Sequence, residues 1–358
     1  MLKLNKIMDM PPFSLNRQKK KQVFGDLLFE LTKHHYNNCQ EYHNILDVLE
    51  CNPLSKINVK SLPPLPVRLF KDNELCSVER SEIIKTMTSS GTSGQRVSKI
   101  FLDKMTARNQ TQVLTKIVSS FIGTKRLPML IIDSKSVLKD RNLFSARGAG
   151  IVGFSMLGYD VTYALDESMQ LDVDAIEVFI QKHGGKNILI FGFTFMIWQY
   201  FYKPLLKLGK KLELENGIMI HGGGWKKLIE QAVDNDTFKS ALEKICMIER
   251  VHNYYGMVEQ TGSIFMECEA GYLHASNFSD ISVLGADFGE CKMQERGLVK
   301  LSSLLPLSYP GHILLSEDIG EIIGEDDCQC GRFGKYFKIH GRIMNAEGRG
   351  CSDTYDSV

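Results

Sequence analysis

The chain has 358 residues, enough to bury a large core as one big domain or two, and its 43 Lys and Arg against 42 Asp and Glu leave a net charge of +1. Near-neutrality leaves no electrostatic footprint for nucleic acid or an anionic membrane, which favours a small molecule or a protein as substrate. Nine cysteines scattered through a chain of this size do not suggest a disulfide framework, and reduced thiols, metal ligands or a nucleophile remain open. Met1 to Met10 is mixed in character and Pro11-Pro12 interrupts it, so no secretory signal is expected. The most apolar run, 188–202, is too short to span a bilayer and contains Gly192, Thr194 and Gln199. A cytoplasmic protein with no membrane span is the expectation.

Between residues 13 and 50, Phe24, Leu27, Leu28, Leu31, Tyr36, Tyr42 and Ile45 recur as on amphipathic helices, a spacing more often core than function. Leu62-Pro-Pro-Leu-Pro66 breaks any helix, and Val67-Arg-Leu-Phe70 reads as an extended connector. A helical segment is therefore expected over 1–75, a core over 76–345 and a mobile tail over 346–358. The stretch around which the core is organised is Thr86-Met-Thr-Ser-Ser-Gly-Thr-Ser-Gly-Gln-Arg96. Gly91 and Gly94 let backbone N–H groups turn inward around an anion, while Thr88, Ser89, Ser90, Thr92 and Ser93 supply short hydroxyl donors. Arg96 and Lys99 follow with positive charge. Composition alone also fits a flexible linker. A strand-like Ser98-Lys-Ile-Phe-Leu102 and a helix over 104–121, with Met105, Val113, Ile117 and Phe121 as its stripe, flank the loop too tightly for that.

Strands and helices then alternate. Strands are expected at 127–132, 160–163, 187–191 and 217–221, and helices at 145–156, where glycines should break the pattern, 173–183 and 195–208. Such alternation argues for a mostly parallel α/β sheet with ligands at the carboxyl ends of its strands. From about residue 273 short strands at 281–284, 297–301, 312–315 and 336–340 make a β-rich region.

The loop lacks the Gly-x4-Gly-Lys-Ser/Thr and Gly-x-Gly-x-x-Gly spacings. Downstream, His221-Gly-Gly-Gly-Trp225 follows a strand, and Gly223 and Gly224 permit close approach to a flat ligand, with Trp225 near an adenine ring. A plain strand-to-helix turn would look the same. Asn253-Tyr-Tyr-Gly-Met-Val-Glu259 reads either as a buried Tyr pair with a surface Glu or as a nucleotide motif. His312-Ile-Leu-Leu-Ser-Glu-Asp-Ile-Gly320 offers Asp318, a natural bidentate acceptor for a vicinal diol. Ile339-His-Gly-Arg342 follows.

Ser-Ser-Gly-Thr-Ser-Gly94 resembles the phosphate loop of adenylate-forming enzymes, with Arg96 where the family usually has Lys. Tyr255, Gly256 and Glu259 match that family's Tyr-Gly-x-Thr-Glu motif, Val258 replacing the Thr. The resemblance implies ATP as cosubstrate, Tyr255 stacked on adenine, Mg²⁺ held by Glu259, the ribose hydroxyls on Asp318, and Arg342 at a hinge touching ribose or phosphate. Most members carry a C-terminal lid domain past that hinge, and because this chain runs 16 residues past Arg342 the lid is expected to be absent. Within the superfamily the chain resembles the LuxE-type acyl-protein synthetases, through Leu-Pro-Pro-Leu-Pro66, Gly192-Phe-Thr194, His-Gly-Gly-Gly-Trp225 and Arg-Gly-Cys-Ser352. That resemblance implies activation of a fatty or other carboxylic acid, transfer to a cysteine near the C-terminus, and an acyl reductase or acyl-donor protein as partner. Cys351 is the position that matches. Phe193, Thr194, Met196 and Trp198 are candidates for the acyl pocket, with core packing as the alternative for the last two. The rival readings are an acyl- or aryl-CoA ligase and an inactive module that binds nucleotide or acyl groups.

Cys268-x5-His274 and Cys328-x-Cys330 add a metal question. Three thiolates and an imidazole suit a closed structural zinc site, and the related phenylacetate-CoA ligases resemble this chain in carrying a similar set. Small buried hydrophobes are the competing role for these cysteines.

Overall fold

In the computed structural model, which describes residues 2–54, 62–89, 96–138 and 146–343, the polypeptide forms two units, one of residues 2–120 with 256–343 and one of residues 121–255. The first opens with α1 (Leu2–Met8). Asn16 then caps α2 (Arg17–Asn38) by accepting from the Lys19 N–H, satisfying one of the donors a helix start leaves open. Phe24, Leu27, Leu28, Leu31 and Tyr36 form its buried stripe. In α3 (Gln40–Val48) the buried residues are Tyr42 and Leu46, and Ile45 is only half-buried.

Residues 67–70 depart from the extended connector expected of them. β1 (Leu65–Pro66) is brief, and α4 (Leu69–Asp72) starts at once, which drives Phe70 into the core edge-on to Tyr309, ring centroids 6.1 Å apart. β2 (Ile83–Thr88) and β3 (Lys99–Asp103) make an antiparallel hairpin with Thr88 opposite Lys99. Sequence reading recovered β3 and missed β2, because only Met87 of β2 is buried and no alternation marks it. α5 (Lys104–Ile122) buries Val113, Ile117 and Phe121, whereas Met105 lies on its exposed side.

The second unit alternates as expected: β4 (Leu127–Ser134), α6 (Ala146–Ser155), β5 (Gly158–Leu165), α7 (Val173–His183), β6 (Ile188–Phe193), α8 (Thr194–Met196). A π-helical stretch, Ile197–Tyr202, carries α8 directly into α9 (Lys203–Leu208), and β7 (Gly217–Gly222), α10 (Asn235–Cys246) and β8 (Arg250–Tyr255) follow. Its five strands are all parallel, in the order β8-β7-β6-β4-β5. β6 and β7 are buried at every position, which is why they read as continuous apolar runs. Leu130, Ile132, Ile190, Phe201, Leu205 and Met219 belong to the core between sheet and helices. The glycines of α6 do not break it. A Cβ on Gly150 would stand 3.1 Å from Cζ of Phe193, so that glycine serves helix-to-sheet packing.

The first unit resumes with β9 (Phe265–Glu267), β10 (Leu273–His274), β11 (Ser279–Leu284), β12 (Gly297–Ser303), β13 (Ile313–Glu325) and β14 (Lys335–Arg342). They pair in the order β11-β12-β13-β14-β10-β9, and β1 adds in parallel beside β13. β13 and β14 are longer than the β-rich pattern suggested. No helix among the described residues is long and apolar enough to cross a membrane.

Candidate functional site

The Ser/Thr/Gly-rich loop lies between β2 and β3 in the sequence. Thr88, half-buried, ends β2, and Ser89 closes the neck: its N–H donates to the Ser98 carbonyl at 3.2 Å and its Oγ accepts from the Ser98 N–H at 2.9 Å. Ser90, Gly91, Thr92, Ser93 and Gly94 lie outside the described residues, as does Cys351. The two cations that follow the loop have carboxylate neighbours, Arg96 with Asp72 at 3.4 Å and Lys99 with Glu74 at 3.0 Å. These exposed pairs are worth little in water, so either can be given up to a phosphate.

Tyr255 is the last residue of β8, in the second unit. Gly256 begins the return to the first, where Glu259 sits buried in a single 3₁₀ turn, Val258–Gln260. Val258, standing where the resemblance has a Thr, offers its carbonyl to Thr261 Oγ at 2.8 Å. Asp318 and Arg342 meet. They are register partners across β13 and β14, with guanidinium Nε 3.4 Å from the carboxylate. Antiparallel pairing thus gathers on one strand pair two groups separated by 24 positions in the sequence.

In the second unit the glycine turn follows β7. Gly223 and Gly224 have φ of +83° and +68°, a region that favours glycine, and a Cβ on Gly223 would lie 2.8 Å from the Phe193 ring. Trp225 does not stand free for a ligand's ring: it packs edge-on to Trp198 at 5.4 Å and to Phe238 at 6.1 Å. Trp198 and Met196 are buried, Trp198 within the core, and Phe193 fills the space left by Gly150 and Gly223. Thr194 donates to the Gly222 carbonyl at 3.1 Å and lies 2.9 Å from His221 Nδ1. Burial pulls the His221 pKa down to about 3, so this imidazole is neutral.

Sequence reading missed a buried ion pair at the carboxyl end of β4, Asp133 with Arg147 of α6 at 3.0 Å. Burial raises the Asp133 carboxyl to about 6 even against the pull of Arg147. An apolar run ending in Asp-Ser was its only signal.

The four metal candidates converge within the first unit, all their ligand atoms lying within 4.8 Å of one another. Cys268 and Cys328 sulfurs are 3.8 Å apart, and Cys330 Sγ is 3.4 Å from His274 Nε2. Thiolates on a tetrahedral zinc at about 2.3 Å stand about 3.8 Å from each other, so the cluster has the size of such a cage. His274 is held by packing, stacked on Tyr336 at 5.6 Å with Phe13 edge-on at 6.2 Å. Burial pushes the Cys268 thiol up to about 12, while hydrogen bonds from Arg332 hold Cys330 below its usual value despite burial. Three crowded thiols resist ionising together unless a cation compensates them.

Known proteins agree with this architecture. A long-chain-fatty-acid–luciferin-component ligase of Vibrio harveyi is 22% identical over 361 aligned positions, covering 95% of this chain and 89% of that one. One of the same description from Photorhabdus luminescens is 26% identical over 88 residues, 25% of this chain and 75% of the other. Among solved structures, 2-hydroxyisobutyryl-CoA ligase in an open conformation, in complex with 2-HIB-AMP and CoA, superposes with a TM-score of 0.70 at 13% identity, over 94% of this chain and 77% of that one. At that identity the likeness is one of fold, and the fold is that of the adenylate-forming enzymes. The family described as "Acyl-protein synthetase, LuxE" matches residues 3–357, and the chain belongs to the LuxE acyl-protein synthetase family.

Proposed function

We propose that the chain activates a long-chain fatty acid with ATP and transfers the acyl group to a protein thiol. In the first half-reaction a carboxylate oxygen attacks the α-phosphorus, forming acyl-AMP as pyrophosphate leaves. In the second a thiolate attacks the acyl carbonyl and AMP departs, leaving a thioester. The single observation that carries this reading is the meeting of Asp318 and Arg342 on β13 and β14, a carboxylate for the ribose diol with a cation beside it for ribose or phosphate. Tyr255 would stack on adenine, with Gly223, Gly224 and Gly256 allowing close approach. Thr88, Ser89 and the loop through Gly94 would donate to the phosphates, where negative charge accumulates in the transition state. Glu259 would hold Mg²⁺, which when bound offsets that charge.

We assign Cys351 as acyl acceptor, with an acyl reductase as the partner that takes the acyl group onward in the cytoplasm. The Cys268, His274, Cys328 and Cys330 cluster would hold a structural zinc: with four protein ligands it leaves no open position for substrate.

The test is acid-dependent ATP–pyrophosphate exchange across saturated fatty acids, followed by labelling with the radioactive acid. Wild type should exchange and acquire a hydroxylamine-sensitive label, and Cys351→Ser should exchange without it. Normal labelling of Cys351→Ser refutes that acceptor, release of acyl-CoA on adding CoA makes CoA the acceptor, and absence of exchange with every acid refutes adenylation.

A further inference from the structure

The turn that carries Glu259 is one 3₁₀ turn long, too short to hold its own geometry. Its neighbours in the first unit grip it from two sides. On one side the Tyr309 hydroxyl donates to the Glu259 carbonyl at 3.0 Å. Gly311 lies against the same carbonyl, which a Cβ would approach to 2.7 Å, and its own carbonyl accepts from Gln260 Nε2 at 2.9 Å. On the other side stands α5. Gln110 Nε2 donates to the Tyr309 hydroxyl at 3.3 Å, and Gly262, at φ +87°, presses on the Gln110 backbone, whose oxygen a Cβ would meet at 2.6 Å.

Ser308, one residue before Tyr309, is tied to the same helix and to the strand before it. Its N–H donates to Thr106 Oγ at 3.1 Å and its hydroxyl to the Phe101 carbonyl at 2.7 Å. Phe101 lies on β3 and Thr106 on α5, the elements that leave the phosphate-loop hairpin. Tyr309, Gln110, Gln260 and Ser308 are all buried. Phe and Leu would fill the core positions of Tyr309 and Gln110 without a desolvation penalty, so these polar groups fix a geometry as well as fill space.

We propose that Tyr309 is a positioning residue for adenylation, fixing the Glu259 turn relative to the phosphate-loop hairpin through Gln110 and its neighbour Ser308. The proposal rests on the reading of Glu259 as the Mg²⁺ carboxylate. A carboxylate that must meet a cation on the triphosphate loses much of its effect when displaced by an ångström.

Tyr309→Phe keeps the ring and removes only the hydroxyl. In acid-dependent ATP–pyrophosphate exchange by the full chain, with a saturated long-chain fatty acid and titrated Mg²⁺, we expect about tenfold lower turnover and about tenfold higher Mg²⁺ half-saturation, the size of one buried hydrogen bond. The KM for the fatty acid should not change. Gln110→Leu should shift both quantities the same way, and the double variant no further than Tyr309→Phe. Tyr42→Phe, which removes a buried hydroxyl 3.4 Å from His312 in the same unit, is the structural control and should lower Tm without moving the Mg²⁺ dependence. An active Glu259→Gln overturns the Glu259 reading and the proposal with it. An inactive Glu259→Gln beside Tyr309→Phe and Gln110→Leu variants with wild-type turnover and Mg²⁺ dependence overturns the proposal alone. If Tyr309→Phe does not fold, Gln110→Leu decides the matter on the same criteria.

Discussion

Removing the zinc proposed for the Cys268, His274, Cys328 and Cys330 cluster should destabilise the first unit and loosen one named segment first. The ligands come from two stretches, one running from the end of β9 through β10 and one between β13 and β14, and the chain between and before them is fastened around the cluster. Phe333 N–H donates to the Phe13 carbonyl at 3.2 Å, Leu15 N–H to Asn277 Oδ1 at 3.1 Å, and Asn277 N–H to the Pro12 carbonyl at 2.6 Å. Phe333 and Asn277 are each three residues past a ligand, so segment 11–15 reads out the cluster's order. A metal present at about a thousand times its Kd stabilises the folded state by about 4 kcal/mol. For a unit of about 200 residues that corresponds to a fall in Tm of roughly 8–16 °C on chelation. Elemental analysis of protein purified under reducing conditions should give one zinc per chain. Thermal unfolding with and without 1,10-phenanthroline should show the shift, and Cys330→Ser should imitate it. Hydrogen exchange should show the Leu15, Asn277 and Phe333 amides losing protection first. Protein purified without zinc yet equally stable, or a chelator that leaves Tm and these amides untouched, would refute the assignment.

Asp318→Asn removes the charged acceptor proposed for the ribose diol and breaks its 3.4 Å ion pair with Arg342. The KM for ATP should rise about tenfold or more while the KM for the acid stays put, and an unchanged ATP KM in steady-state exchange would remove Asp318 from the nucleotide site. Acid should also weaken both units. Burial, the first cause in each case, pulls His221 and His312 down to about 3 from about 6.5 in the unfolded chain. The unfolded state therefore binds the extra proton below about pH 6.5, and stability that is complete above that value is lost as pH falls toward about 3, by about 1.4 kcal/mol per pH unit for each histidine. Urea midpoints at about pH 7 and pH 5 should differ accordingly, and equal midpoints would mean that neither histidine is buried neutral.

What could be read in advance was whatever repeats along the chain at short range. β6 and β7 are apolar at nearly every position because both faces are covered, and α7 appears where its spacing put it, capped by Asp172. β2 gave no such signal, since Ile84, Lys85 and Thr86 are all exposed. Phe70 was misread as extended because the prolines before it speak louder than the one helical turn that buries it. At the candidate site, motif order singled out Asp318 and Arg342, which strand pairing brings together, and thiol spacing singled out two pairs that the structure brings into one cluster. Tyr309 left no trace, lying in Leu307-Ser-Tyr-Pro-Gly311, a stretch that reads as a turn. Its function depends on partners 50 and 199 residues away, Glu259 and Gln110. Asp133 and Arg147 likewise meet only because β4 and α6 pack.

The widened stretch Ile197–Tyr202 has a consequence for how this segment can vary. Its i→i−5 bonding, continued by the Lys203 N–H to the Trp198 carbonyl, takes up one residue more than an ordinary α-turn, and it ends next to Pro204, which has no N–H to give. The wide turn absorbs that extra residue within itself, so the two ends of the helix keep the phase they would have in an ordinary α-helix one residue shorter. Thr194 at the front faces His221, and Leu205 at the back faces the core. Deleting one residue within 197–202 would therefore restore an ordinary α-helix with both ends still in place, Thr194 toward His221 and Leu205 toward the interior. A residue added in plain α-geometry would instead swing one end by about 100° relative to the other.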